Sequence, residues 1–242
     1  MDGILRCSRY AFGPNRLHYC GPDANAEIKA YIDAGAEDPG LSKLLRGFET
    51  MYPYLKLIAD ANGIRDPLDE GVVEAYWIGN HLLEAVGKRS LYRHLEDRGV
   101  KDRIGIRSFD RVADKIGAGA VPHHSFHVLD IWKRTGNTET DHTLESMDSC
   151  RISWGKVVAV DGPKITVETE PLLLLGGKLA LGTPTRRILR RALESRSDIE
   201  QLRPGEWITF HWGVPCEVVT ERQVAQLRKY TLMHTAFANL TI

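Results

Sequence analysis

The sequence predicts an α+β protein, in which an all-helical N-terminal domain precedes a small β-domain that ends in a helix. Apolar residues recur at helical spacing in the first part of the chain, and this periodicity indicates amphipathic helices. After residue 148, short β-branched runs typical of strands replace that spacing. We therefore place a helical domain at residues 1–140 and a β-domain at residues 149–242. The polar segment 134–148 between them has the composition of a linker or long surface loop.

The helical domain consists of several segments with apolar stripes. Asp23 is expected to cap the first of them, because a carboxylate accepts hydrogen bonds from the first N–H groups of a helix. Pro53 is expected to kink or divide the second, since proline lacks a backbone donor and crowds the preceding turn. The stripes predict helices over residues 22–35, 41–63, 70–87, 90–99, 108–117 and 124–134.

The β-domain opens with two β-branched runs, RISWGKVVAV (151–160) and KITVETE (164–170). The sequence Asp161-Gly162-Pro163 between them is a turn signal, so the two runs predict a hairpin. Residues 177–182 predict a third strand and residues 205–219 one or two more.

The rest of the β-domain is expected to be helical. An inserted helix over residues 183–202 would present a solvated basic face, with docking to an acidic partner as the alternative. The chain closes with a helix that a Thr220-x-x-Gln223 capping box opens. The arginines of the inserted helix are Arg186, Arg187, Arg190, Arg191 and Arg196.

Composition excludes several classes of function. The 242 residues contain 32 Lys plus Arg and 32 Asp plus Glu, so no global field favours nucleic acid or an anionic membrane surface. The longest apolar run, at residues 171–177, is too short to span a membrane, and the start has no signal-peptide pattern. Four cysteines without an export signal indicate reduced thiols and a cytoplasmic protein. No phosphate-binding loop, C-x-x-C pair or G-x-S-x-G motif supports nucleotide use or serine hydrolysis.

Cys150 is the principal candidate for chemistry. It stands at the start of the first strand in the pattern C-x-x-x-x-G-K-V-V-x-V-D-G, and L-x-P-G-E-W-I-T-F-H-W-G follows about sixty residues later. This pair of segments resembles the HypC/HupF-type chaperones that mature nickel–iron hydrogenases, over residues 149–234. The matching positions are Cys150, Gly155, Lys156, Gly205, Trp207, His211 and Gly213.

The resemblance implies both a fold and a function. The fold is a small OB-like β-barrel with a C-terminal helix. The function is to hold an iron atom with cyanide and carbon monoxide ligands through the thiolate of Cys150, jointly with a maturation scaffold protein. The iron unit is then delivered to the hydrogenase large subunit precursor. A thiolate is a soft ligand suited to this iron, and His211 is expected to be a second ligand, base or orienting group.

The sequence also departs from the pattern of that family. The family's cysteine becomes the N-terminal residue, whereas Cys150 is internal. Trp154 stands where the family usually has proline, and residues 184–202 are longer than the family's connection. These differences bear on delivery to the usual partners more than on the fold.

Four further residues are secondary candidates. Cys20 precedes the turn Gly21-Pro22-Asp23 and a helix N-terminus, whose dipole is expected to lower the pKa of the thiol. His123 and His127 have the spacing of a two-histidine metal pair, although a helix start with satisfied histidines is the favoured interpretation. Cys216 follows His211 closely, but burial in the strand is favoured for it.

Three functions from different classes remain open at this point. The first is metallocentre assembly through Cys150, as the HypC resemblance implies. The second is an enzyme that makes or transfers a small ligand with Cys20 and the histidines. The third is a non-catalytic adaptor that docks onto maturation partners. The run YAFGPNRLHYCGPD (10–23) resembles an uncharacterised bacterial family and adds no chemistry.

Overall fold

The computed structural model describes residues 2–131, 142–191 and 198–242, and it confirms the α+β class. Two 3₁₀ helices occupy His81–Ala85 and Asp198–Gln201. The α-helices are α1 (Gly3–Asn15), α2 (Asn25–Ala34), α3 (Pro39–Arg46), α4 (Met51–Ala61), α5 (Glu70–Trp77), α6 (Lys88–Asp97), α7 (Val100–Ile104), α8 (Ile106–Ala118), α9 (His124–Asp130), α10 (Leu144–Cys150) and α11 (Glu221–Ala238). The strands are β1 (Ser153–Asp161), β2 (Lys164–Thr169), β3 (Leu172–Leu175), β4 (Lys178–Leu181), β5 (Thr185–Arg190), β6 (Trp207–His211) and β7 (Val214–Val219).

The strands form a five-stranded antiparallel sheet in the order β5-β2-β1-β6-β7, and β3 and β4 form a separate hairpin. The predicted turn at Asp161-Gly162-Pro163 joins β1 to β2, with Gly162 in the left-handed region at φ 51°. The sheet is not closed into a barrel, because the edge strands β5 and β7 approach each other without pairing.

The inserted helix expected over residues 183–202 is wrong in the part before residue 192, and residues 192–197 lie outside the described part of the chain. Residues Thr185–Arg190 form strand β5, which pairs along its whole length with β2 and buries Leu189 against the sheet. The arginine-rich composition suits a helix locally, but the open edge of β2 supplies backbone partners that only the folded chain reveals. Of the predicted arginines, Arg196 lies outside the described residues.

Two expected helix boundaries are also wrong. The chain breaks between α3 and α4, before Pro53, and the proline lies in the first turn of α4, where no backbone donor is lost. Asp23 does not cap α2, because the N-cap is Ala24, which makes no side-chain hydrogen bond. The carboxylate of Asp23 instead lies 3.2 Å from Nδ1 of His18.

The helix predicted over residues 70–87 is interrupted by a contact with a helix that is distant in sequence. Helix α5 ends at Trp77, and Gly79 adopts φ 98° where the ring of Tyr230 from α11 presses on the backbone. A Cβ at position 79 would lie 2.2 Å from Cδ2 of that ring. The segment predicted as a linker is partly helical, since Thr143 caps α10; residues 134–141 lie outside the described part. The Thr220–Gln223 capping box of α11 is confirmed.

Helix α1 packs against both α5 and the β6–β7 edge of the sheet, so one apolar core contains residues from both halves of the chain. A buried polar network crosses the same contact. Arg6 donates to Glu217 Oε1 through Nε (3.0 Å) and Nη2 (2.8 Å), and Tyr10 donates to the same oxygen (2.6 Å). In the described residues, no helix is long and apolar enough to cross a membrane.

Candidate metal centre

Three segments that are distant in sequence bring two imidazoles and a thiol together. His124 lies in the first turn of α9, Cys150 is the last residue of α10, and His211 is the last residue of β6. One ligand atom from each lies within 4.8 Å of the others. The pairwise spacing is close enough for small movements of the side chains to place all three on one metal ion.

Backbone contacts hold the three segments in register. The backbone N–H of Trp212 donates to the carbonyl of Ser149 (2.9 Å), which joins the end of β6 to the end of α10. Trp212 and Gly213 both have positive φ, at 50° and 74°, so the chain turns sharply into β7 directly after His211. The turn therefore fixes the imidazole of His211 at the end of its strand.

His211 has the polar environment of a metal ligand. Its Nδ1 donates to the carbonyl of Tyr10 (2.7 Å), so Nε2 carries the lone pair. Nε2 is buried near the backbone of Cys150 but makes no hydrogen bond of good geometry, and the side chain is 1% exposed. Burial lowers the pKa of His211 to about 4, so the imidazole is neutral at pH 7. A buried nitrogen with an unused lone pair is costly unless something occupies it.

His124 completes the pair of imidazoles. Its Nε2 donates to the carbonyl of Cys150 (2.8 Å), and its Nδ1 accepts from the hydroxyl of Tyr76 (3.2 Å). Burial, with a contribution from His211, lowers the pKa of His124 well below the usual value.

Cys150 supplies the only sulfur of this cluster and is half-buried, whereas both histidines are buried. It ends a helix three residues before β1 begins, rather than standing in the strand. A thiolate with two imidazoles is a donor set for zinc, copper, nickel or iron, and a poor one for magnesium or calcium. Three protein ligands also leave a coordination position for an added ligand.

The cluster opens onto a cavity of about 70 Å³ with mainly apolar and aromatic walls. Tyr19 and Trp212 pack against each other at one side, with ring centroids 4.9 Å apart. The volume exceeds the roughly 10–15 Å³ that one water molecule needs, so small ligands fit beside the cluster. The walls are formed by Ala11, Pro14, Tyr19, Cys20, Phe48, Thr50, Met51, Tyr76, Trp77, His124, His127, His142, Cys150, His211 and Trp212.

Two of the secondary candidates line this cavity outside the cluster. Burial raises the pKa of the Cys20 thiol to about 11, opposite to the predicted lowering, because α2 begins only at Asn25 and desolvation exceeds the contribution of the Gly21 N–H. The Nδ1 of His127 lies 3.1 Å from the Tyr54 hydroxyl. Both residues are placed to contact a ligand in the cavity.

The other two secondary candidates lie elsewhere. His123 is the N-cap of α9 and bonds Ser125 Oγ through Nδ1 (2.7 Å), so the predicted pair of His123 and His127 does not share a site. Cys216 is fully buried in β7 and donates its S–H toward the carbonyl of Arg9 (3.7 Å). Cys216 is therefore part of the core.

His124 is the residue that sequence reasoning missed. In the run Pro122-His123-His124-Ser125-Phe126-His127, attention to the i, i+4 spacing selected His123. Helix α9 begins at His124 with His123 as its N-cap, so His124 and His127, at i and i+3, lie on the same helix face and both line the cavity. If His123 is taken as the N-cap that follows Pro122, the sequence predicts His124 and His127 on one face of the helix.

The buried histidines predict a loss of stability in mild acid. Burial lowers the pKa of His94 to about 4 and of His127 to about 3. Below pH 6.5 the unfolded chain binds protons that these folded imidazoles do not, so stability is full above pH 6.5 and falls as pH drops toward 4. Each such group contributes on the order of 3 kcal/mol over its window. The pKa values of His123, His124, His211 and His234 are lowered in the same way.

One carboxyl acts in the opposite direction. Burial raises the pKa of Asp130 to about 7, so its contribution to stability is lost as pH rises through that value. Six histidines of the described part outweigh this single group, and we expect the free energy of unfolding from urea titrations to fall by several kcal/mol between pH 7.5 and pH 5. A flat free energy across that window would contradict the burial of neutral imidazoles.

The model of a family of unknown function, DUF6390, matches residues 1–242 and so covers both parts of the chain. No curated protein and no solved structure matches the chain. The HypC resemblance therefore stays a prediction from the sequence.

Proposed function

We propose that this chain, which belongs to the family of unknown function DUF6390, binds a transition-metal ion through His124, Cys150 and His211 and acts in metallocentre assembly. The observation that carries the proposal is the meeting of these three ligand atoms within 4.8 Å. The buried Nε2 of His211, which makes no hydrogen bond of good geometry, supports it, because a metal would satisfy that nitrogen.

Iron is the metal that we propose, as an iron–cyanide–carbon monoxide unit that is cargo. A thiolate with neutral imidazoles suits low-spin iron, and the small apolar cavity beside the cluster suits small, weakly polar ligands. The resemblance of residues 149–234 to HypC-type chaperones supports the same cargo. On this proposal the partners are a hydrogenase maturation scaffold protein and the hydrogenase large subunit precursor.

Cys150 is the ligand through which the cargo would be handed on. It is the least buried of the three, so an incoming protein reaches it before the histidines. Tyr10 and Cys150 hold the imidazoles of His211 and His124 through backbone carbonyls, and such partners orient metal ligands and raise their basicity. The histidines thus hold the metal while the thiolate is exchanged.

A matched pair of histidines tests the metal site. His124 and His127 lie on α9, are both 7% exposed and line the same cavity, but only His124 belongs to the cluster. We expect His124→Asn to weaken anaerobic binding of Fe(II) or Co(II), measured by calorimetry, by about 100-fold or more, and His127→Asn to change it far less. Equal metal affinities in the two variants would show that the cluster is not the binding site.

Infrared spectroscopy of anaerobically purified protein tests the cargo. Cyanide and carbon monoxide stretches that disappear in the His124→Asn protein are the expected result. Stoichiometric metal without those bands would support the metal site and exclude the iron–cyanide–carbon monoxide unit as its cargo. In that case a metal-dependent enzyme becomes the better interpretation, because three protein ligands leave a coordination position and the cluster borders a cavity.

A further inference from the structure

A second concavity lies on the other side of α1 from the metal cavity. It has a volume of about 240 Å³ and lies between α1, α2, the end of β5 and the start of β7. Ala11 and Pro14 of α1 face the metal cavity, whereas Arg9 and Phe12 line this one. We call it the arginine groove, after four of its lining residues, Arg9, Arg16, Arg190 and Arg191.

The groove is positively charged although the whole chain has a formal net charge of zero. Lys29 adds a fifth cation, and among the described lining residues only Asp33 and Glu200 are acidic, which leaves three positive charges. Lys29 and Asp33 form an i, i+4 ion pair, so they neutralise each other. The excess charge is therefore carried by arginine.

Backbone carbonyls orient two of these arginines, Arg16 and Arg191. Arg16 Nη2 donates to the carbonyl of Trp212 (3.2 Å), and Arg191 donates through Nε to Gly162 (3.1 Å) and through Nη1 to Ile199 (2.7 Å). A guanidinium has five N–H donors, so each keeps donors for a ligand after these bonds. Because these hydrogen bonds already restrict the arginine side chains, the side chains lose less conformational entropy when an anion binds.

We propose that the arginine groove binds a small phosphorylated molecule through Arg16, Arg190 and Arg191. Planar guanidinium groups match phosphate oxygens in a bidentate arrangement. The volume is just below the usual ~300–1,000 Å³ of small-molecule sites, so the ligand is compact. The apolar wall at Phe12, Ile32, Val214 and Pro215 gives room for a small apolar body beside the phosphate.

The test uses the full chain and calorimetric titration with pyrophosphate, AMP and citrate. Arg16→Ala and Arg190→Ala remove exposed side chains, so both proteins are expected to keep their melting temperature. We expect each to weaken the binding of pyrophosphate or AMP by about tenfold. The matched control is Arg186→Ala, which removes the same charge from an exposed position of the same strand outside the groove.

The outcomes separate the groove from net charge and from the metal site. Binding that survives Arg186→Ala and weakens in the other two variants supports the proposal. Any of three results would overturn it. They are no binding at millimolar pyrophosphate and AMP, equal weakening in all three variants, and tighter binding of citrate than of either phosphate. Co(II) affinity is expected to stay unchanged in Arg190→Ala and Arg186→Ala, neither of which touches the metal cavity, so failure here leaves the proposed metal site standing.

Discussion

Replacement of Cys150 with Ser is expected to lower the affinity for Co(II) or Fe(II) by about 100-fold or more and to remove the sulfur-to-cobalt charge-transfer absorption in the near ultraviolet. The reason is that Cys150 is the only sulfur in the cluster with His124 and His211. A hydroxyl does not deprotonate at neutral pH, so it does not replace a thiolate as a soft ligand. Stability is expected to change by less than about 1 kcal/mol, because the side chain is half-buried.

The other cysteines are the controls for this result. Cys20→Ser alters the same cavity outside the cluster, so it is expected to keep the charge-transfer band. Cys216→Ala removes a fully buried sulfur and is expected to cost about 1–3 kcal/mol without loss of metal. Cys7→Ala is likewise expected to leave metal binding intact. A Cys150→Ser protein with full affinity and an unchanged spectrum would rule out the thiolate ligand.

The second large effect is expected from Arg6→Met, which should destabilise the protein by about 3–5 kcal/mol. Arg6 is 3% exposed and Glu217 is 4% exposed, so removal of the cation leaves a carboxylate buried without its partner. Tyr10 and Thr209 complete the network between α1 and the sheet. The measurement is the free energy of unfolding from guanidinium titrations at pH 7.

An exposed ion pair provides the comparison for Arg6→Met. Arg228 binds Glu170 through two nitrogens, at 3.0 and 3.1 Å, but its side chain is 47% exposed. Arg228→Met is therefore expected to cost no more than about 1 kcal/mol. The double variant Arg6→Met/Glu217→Met is expected to recover part of the loss, since no charge remains buried. Similar costs for Arg6→Met and Arg228→Met would contradict the proposed role of desolvation.

The two sets of experiments bear on each other because the network and the metal centre share α1. The carbonyl of Tyr10 accepts from His211, while the hydroxyl of the same residue donates to Glu217. Loosening of α1 would therefore also disturb the imidazole of His211. Metal affinity of Arg6→Met is best measured well below its melting temperature.

Local sequence information determined the features that depend on neighbours in the chain. The apolar stripes located the helices around Leu55 and Leu91, the Asp161-Gly162-Pro163 turn located the first hairpin, and the capping box located the start of α11. The resemblance of residues 149–234 to HypC/HupF-type chaperones also pointed to Cys150 and His211, which lie in one cluster in the structure. These signals act over a few residues, through backbone geometry and side-chain periodicity.

Tertiary structure decided the rest. Residues Thr185–Arg190 became a strand because β2 offered an unpaired edge, and Tyr230 limited α5 by pressing on Gly79 from a distant helix. His124 became part of the centre because α10 and β6 end beside it, and Nε2 of His124 bonds a carbonyl 26 residues away in the chain. Such contacts depend on which surfaces the folded core buries together: the local pattern can place His124 and His127 on one helix face, but it does not say which segments that face meets.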